Sequence, residues 1–262
     1  KKITKMQESK ISPSNKYTQM QSKYYEEAAS TGDGVDTDNV VGSFQGHNHW
    51  KDYKYLFSRL KNVNFKDLKV LDFGCGPGRN IVKYKDTFKQ IDGVDISKNN
   101  LINAQNYFKK SNLPFNPTLY QCNGVDLSDI PSNSYDLVMS TVALQHICVH
   151  EIRYNYFKEF YRVLKPGGCI AIQMGCGSPS PSTVPYHDNY YDAPATNRSS
   201  DCEIKHPDQL KNDLDKIGYN KFSYLIGPVG PGDSHPFWIY FNAQKPIKEE
   251  YISKIHLQNG YN

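Results

Sequence analysis

The chain of 262 residues has no apolar run long enough to cross a bilayer and no leader pattern. It has no block of like charge either. Its formal net charge of +4 comes from scattered lysines, so charge does not imply a nucleic-acid partner. No C-x-x-C pair is present. The six cysteines, at 75, 122, 148, 169, 176 and 202, fall mostly in or beside apolar stretches, which predicts reduced thiols rather than disulfides or a zinc site. No internal repeat is visible. What remains is one domain with an elaboration, expected to be cytoplasmic, without nucleic-acid or membrane partners. Tyrosine, by contrast, is abundant at 20 residues, many outside the obvious core strands. Such usage suits a pocket for a small, partly apolar or cationic ligand, or it reflects biased base composition.

What organises the chain is the run Lys69 to Asn80, K-V-L-D-F-G-C-G-P-G-R-N. Val70, Leu71 and Phe73 form a short apolar run ending in glycines, which predicts a strand buried on both faces. Gly74, Gly76 and Gly78 follow at every second residue. Glycine there lets the chain turn sharply and lets backbone N–H groups approach a ligand that a Cβ would hold off. A strand, a glycine turn and a helix start together predict a nucleotide-binding elbow, because free N–H groups converge at a helix N-terminus. A dinucleotide fingerprint, G-x-G-x-x-G, would need glycine at position 79, where Arg79 stands.

Around this elbow the chain alternates. A helix is expected over Lys16 to Ala29, then a glycine- and aspartate-rich loop to Gly46, then a helix from Trp50 to Leu60. Strands are expected at Gln90–Asp95, Thr118–Cys122, Tyr135–Val142 and Cys169–Met174. Helices fall between them at Arg79 onward, Lys98–Lys110 with Ser97 as N-cap, and His150–Leu164, the last ended by Lys165-Pro166-Gly167-Gly168. Gly175 to Lys205 holds four prolines and reads as a long connection. A helix over Pro207–Ile217 precedes strands at Lys221–Ile226 and Phe237–Asn242, whose short link makes them antiparallel neighbours. The expected fold is an α/β, Rossmann-like, doubly wound sheet, mostly parallel with an antiparallel last strand. The expected organisation is a cap over 1–49, a domain over 50–246 with an insertion at about 175–205, and a tail from 247.

Asp72-x-Gly74-x-Gly76-x-Gly78 resembles motif I of the class I S-adenosylmethionine (SAM) dependent methyltransferases. Tyr135-Asp136-Leu137-Val138-Met139-Ser140, followed by Leu144-Gln145-His146-Ile147, resembles motif IV and its turn, and Lys165-Pro166-Gly167-Gly168 resembles the post-helix turn. The resemblance spans about Trp50 to Lys245. It implies SAM as cofactor, S-adenosylhomocysteine as product, and methyl transfer to a small molecule. The cofactor residues it implies are Asp72, Gly74, Cys75, Gly76, Gly78, Asp95, Ile96, Asn123, Gly124, Val125 and Ser140. Asp95 ends the second strand, where a carboxylate can accept both ribose hydroxyls, although it also suits a helix N-terminus. Ile96 would cover the adenine. Asn123 would meet its amino group, unless Asp126 does so instead.

His146 lies just past the fourth strand, where it reads either as a general base or as a helix-start residue bonded to backbone. Substrate contacts are expected from Tyr24, Tyr25, His47, His49 and Trp50 on one side and Tyr186, His187 and Tyr190 on the other. For His47 to Trp50 the alternative is a surface loop pinned by Trp50, and no metal site offers itself. No Asn-Pro-Pro-Tyr of nucleic-acid amino-methyltransferases is present. Rival readings are a protein or peptide methyltransferase, a non-catalytic SAM-binding regulator, and aminopropyl transfer.

Overall fold

Val70 and Leu71 are both wholly buried, yet they enter different apolar clusters, because successive strand residues point to opposite faces. The same split recurs along the last strand, where Ile239 and Phe241 join one cluster and Trp238 and Tyr240 the other. A sheet apolar on both faces must be covered on both, which is the doubly wound solution. The computed structural model describes residues 15–30, 55–178, 183–189, 201–229 and 235–247.

In chain order the elements are α1 (Lys16–Ser30), β1 (Lys69–Phe73), α2 (Arg79–Lys83), β2 (Gln90–Asp95), α3 (Lys98–Phe108), β3 (Leu119–Gln121), β4 (Tyr135–Ser140), α4 (His150–Val163), β5 (Leu164–Cys176), β6 (Thr183–Pro185), β7 (Asp201–Glu203), α5 (Asp208–Ile217), β8 (Asn220–Pro228) and β9 (Phe237–Gln244). The main sheet has seven strands in the order β3-β2-β1-β4-β5-β9-β8. The first five are mutually parallel, and β9 runs antiparallel to both neighbours. The reversed last strand thus slots between β5 and β8. The order reverses between β1 and β4, so a crevice opens at the carboxyl ends of those strands.

Ser97 caps α3, its hydroxyl accepting from the Asn100 N–H at 3.1 Å. Glu26 of α1 adds to that cap, its Oε2 accepting from the Ser97 hydroxyl at 2.7 Å and the Asn99 N–H at 3.2 Å. Helix α1 also sends Tyr17 wholly into the main core.

Three expectations give way. Residues 55–60 form successive turns, not the end of a helix, and Phe57 packs edge-on against Tyr84 and Phe88. Residues 50–54 lie outside the described residues. The run Lys165 to Gly168 is the start of β5 rather than a turn after α4. Gly167, at φ 85°, bends that strand while its N–H donates to Lys245 O, so pairing with β9 continues through it. The connection after Gly175 is not structureless throughout: β6 and β7 pair in parallel, and all three residues of β7 are buried.

Candidate active site

The elbow takes the shape its glycines allow. Gly74, Gly76 and Gly78 have φ of 69°, 52° and 85°, left-handed values that side chains beyond glycine adopt with strain. Space is as restrictive as conformation. A Cβ on Gly74 would lie 2.4 Å from that of Ala143, and one on Gly78 would lie 2.4 Å from the Phe108 ring. Asp95 closes the turn from the next strand: its Oδ2 accepts from the Gly76 N–H at 2.8 Å, and its Oδ1 accepts from the Ser97 N–H at 2.9 Å.

Beneath the elbow Asp72 is wholly buried, and among the described residues neither carboxylate oxygen has a hydrogen-bond partner. Burial pushes its carboxyl up to about 7, although Asn80 and Arg79 nearby pull the other way. A buried acid left in this state is one that a cationic ligand group would complete.

A cavity open to solvent lies over the strand ends. Of the residues singled out in the sequence, Tyr25, Gly74, Gly76, Asp95, Ile96, Gly124 and His146 line it. A second, more polar hollow shares Val94 and Cys122 with the first and runs past Asn123 to Asp126 and Asp129. The remaining expected cofactor residues support the walls from behind. Ser140 donates to Phe73 O at 3.0 Å, tying β4 to β1, while Cys75 and Val125 are buried. Asn123 accepts from the N–H groups of Val125 and Asp126 and donates to the Asp126 carboxylate, so its side chain holds its own turn.

His146 ends a short 3₁₀ turn, Leu144–His146, that follows β4. Its carbonyl accepts from Tyr17 and Gln21 of α1, which docks that helix against the cavity, and the Tyr25 ring centroid lies 6.4 Å from the imidazole. His146 Nδ1 lies 2.6 Å from Asp201 Oδ1. Behind them, His235 Nδ1 lies 2.7 Å from Glu203 Oε2, and His235 Nε2 lies 3.6 Å from Asp201 Oδ2. Burial disfavours the Asp201 carboxylate, yet His146 and His235 hold it well below the usual carboxylate range. Burial likewise disfavours charge on His235, yet Asp201 and Glu203 carry it up to about 9. All six cysteines are free thiols.

Other expected contacts do not reach the cavity. Tyr24 packs edge-on to Tyr25 without lining it. Tyr186 is wholly buried, its hydroxyl bonded to Asp213 at 2.7 Å and its ring under the Arg153 guanidinium, so it serves the core. His187 is exposed and meets the His150 ring away from the cavity. His47, His49, Trp50 and Tyr190 lie outside the described residues. Conversely, sequence reasoning passed over Gln21, Asn100 and Tyr156, which line the cavity, and Asp201 and His235 behind it. Asn100 was the detectable one, in the first turn of α3, where its amide donates to Asp95 at 3.4 Å. Asp201 stands 55 residues from His146, with no periodicity linking them.

A glycine elbow, a carboxylate at the end of the next strand and a reversed last strand define the class I SAM-dependent methyltransferase fold. Residues 71–172 match the model of the methyltransferase domain family. The chain is 30% identical over 123 residues to a sterol 24-C-methyltransferase of Candida albicans, covering 46% of this chain and 31% of that protein. Among solved structures it resembles a SAM-dependent methyltransferase of Methanosarcina mazei, with TM-score 0.53 and 18% identity over 70% of this chain and 94% of that one. It also resembles phosphoethanolamine N-methyltransferase 2 of Haemonchus contortus in complex with SAM, with TM-score 0.52 and 20% identity over 74% of this chain and 53% of that one. The chain thus spans about a third of the curated sterol relative. Among the described residues no helix is long and apolar enough to cross a membrane.

Proposed function

We propose that this chain is a SAM-dependent methyltransferase acting on a small-molecule acceptor. The observation that carries the reading is the cavity itself, which gathers the glycine elbow, Asp95 and His146 at the reversal point of the sheet. In this reading the methionine end of SAM lies over Gly74 to Gly78, with the buried Asp72 charge near its ammonium. The ribose diol binds Asp95. The adenine lies by Ile96, with its amino edge toward the polar hollow at Asp126.

Bound SAM supplies a methyl group on a sulfonium, which is already activated for displacement. The protein then has to align, desolvate and, where the acceptor carries a proton, remove it. Tyr25, Phe73 and Tyr156 give the cavity aromatic walls that exclude water, and His146 is the base. The sterol and phosphoethanolamine named for the relatives support an acceptor of small-molecule size.

Asp95→Asn tests the pose, because it keeps an oxygen for the Gly76 N–H and removes the charge. Calorimetry should show SAM affinity reduced by about 1–3 kcal/mol, the worth of a charge-assisted hydrogen bond. Unchanged affinity removes Asp95 from the ribose site, and no SAM binding by the unaltered chain at millimolar concentration overturns the reading.

A further inference from the structure

We propose that Asp201, backed by His235 and Glu203, is a positioning residue that fixes His146 as a base with Nε2 toward the cavity, and that the acceptor is a phenol-type hydroxyl. The inference rests on the methyl-transfer reading above and deepens it.

Four side chains from three separate parts of the chain build this arrangement. His146 comes from the turn after β4, Asp201 and Glu203 from β7, and His235 from just before β9. At 2.6 Å the Asp201 carboxylate can only accept, so His146 Nδ1–H donates to it. That fixes the tautomer whose Nε2 carries a lone pair, since a neutral imidazole has one donor and one acceptor nitrogen. His146 keeps 25% of its side chain exposed and lines the cavity, so the lone pair serves a site that a ligand can reach.

The charges behind it are arranged for receiving a proton. Asp201 and Glu203 are two carboxylates, and His235, held between them, is the matching cation. Gln145 Nε2 lies 3.3 Å from His235 Nε2 on the far side of this cluster. Two anions and one cation leave a net charge of −1 beside His146. Protonating His146 cancels it, so a buried charge imbalance is relieved as the base acts. Among the described residues no group of three such side chains is arranged to hold a metal.

This preference points to the acceptor. An amine in its neutral form attacks through its lone pair and sheds its proton afterwards, and a thiol near pKa 8.5 carries a few per cent of strongly nucleophilic thiolate at pH 7. A phenol near pKa 10 is only about 0.1% ionised there, so its attack gains most from a fixed base. An oxygen lone pair forms the C–O bond as the C–S bond breaks, its electron pair passing to sulfur. The hydroxyl proton goes to His146 Nε2, and from there to solvent. Tyr25, beside His146, offers an aromatic ring something to pack on.

The test uses the full chain, labelled with ¹⁵N-histidine and read by long-range ¹H–¹⁵N spectra without cofactor. His146, assigned by the signal missing in His146→Gln, should show the Nδ1–H tautomer, and Asp201→Asn should shift it toward Nε2–H. With SAM, catechol, 4-nitrothiophenol and benzylamine form the acceptor panel. Asp201→Asn should lower kcat for catechol about 10²-fold or more, leave the KM for SAM within about twofold, and spare the thiol. Asp201→Glu should recover part of the loss; if Asp201→Asn fails to fold, His235→Gln carries the same readouts. An Nε2–H tautomer in the unaltered chain, or a tautomer and kcat indifferent to position 201, overturns the positioning role. Transfer to the amine but not to catechol, or to no member of the panel, overturns the hydroxyl assignment. Calorimetric SAM binding is read separately, so failure of the methyltransferase reading is distinguishable from either.

Discussion

Gly78 is held by two independent constraints, and this makes it the most exacting residue of the elbow. Its φ of 85° costs any other residue roughly 1–2 kcal/mol, and a Cβ would lie 2.4 Å from an edge carbon of Phe108. Phe108 is itself packed against the cluster that contains Ile81 and Leu101, so it cannot simply swing away. Gly78→Ala should therefore lower the unfolding free energy by about 2–4 kcal/mol, combining strain with overpacking. A urea midpoint within experimental error of the unaltered chain would mean that the elbow relaxes more freely than its contacts imply. Demands of this kind are legible in sequence because they fall on one residue: only glycine meets them, so its spacing announces the turn. Asp72 is legible for the same reason, standing two residues before the first glycine. Asp201 is not, because its meaning depends on His146 and His235, far away in sequence.

At the scale of elements, α1 is where expectation and structure differ most usefully. Composition places a helix at Lys16 to Ala29, and the structure has one at Lys16–Ser30. Its role is deeper than a removable cap. Tyr17 is wholly buried, donates to His146 O at 3.2 Å and accepts from the Cys148 N–H at 2.9 Å, while Glu26 caps α3. A chain beginning at Trp50 loses all of these together. Burial of Tyr17 and its hydrogen bonds account for about 2–4 kcal/mol. Without α1, far-UV circular dichroism should still report the sheet, the denaturation midpoint should fall accordingly, and SAM affinity should drop as Gln21 and Tyr25 leave the cavity wall. An unchanged midpoint together with unchanged SAM affinity would return α1 to the status of a loose flap. The strands were readable because each is a short apolar run bounded by turn residues. The turns at 55–60 were not, since Phe57 and Leu60 keep helical spacing while Phe57 answers to a tertiary aromatic cluster.

The whole molecule brings its titrating groups into one cooperative unit, and its stability should record them. His235 sits 3% exposed between two carboxylates, with a folded pKa raised from 6.5 to about 9. A group raised on folding stabilises fully below its unfolded pKa and loses that contribution as pH climbs through the folded value. The loss therefore runs from about pH 6.5 to about pH 9, and 1.36 kcal/mol per pKa unit makes it about 3 kcal/mol. Asp72 works in the same direction over a lower window. Its carboxyl, raised from 3.8 to about 7, binds a proton more tightly when folded, so stability falls between those values as pH rises. Asp201 runs the other way: its depressed pKa contributes above about 3.8 and is lost as pH falls. Taken together the three windows put the most stable pH well on the acidic side of neutrality, near 4, with an alkaline limb that belongs to His235. Denaturant unfolding across pH 4 to 10 should show that limb, and His235→Gln should flatten it while lowering stability at pH 6. A limb of equal slope in His235→Gln would assign it to other groups and leave His235 neutral in the folded protein.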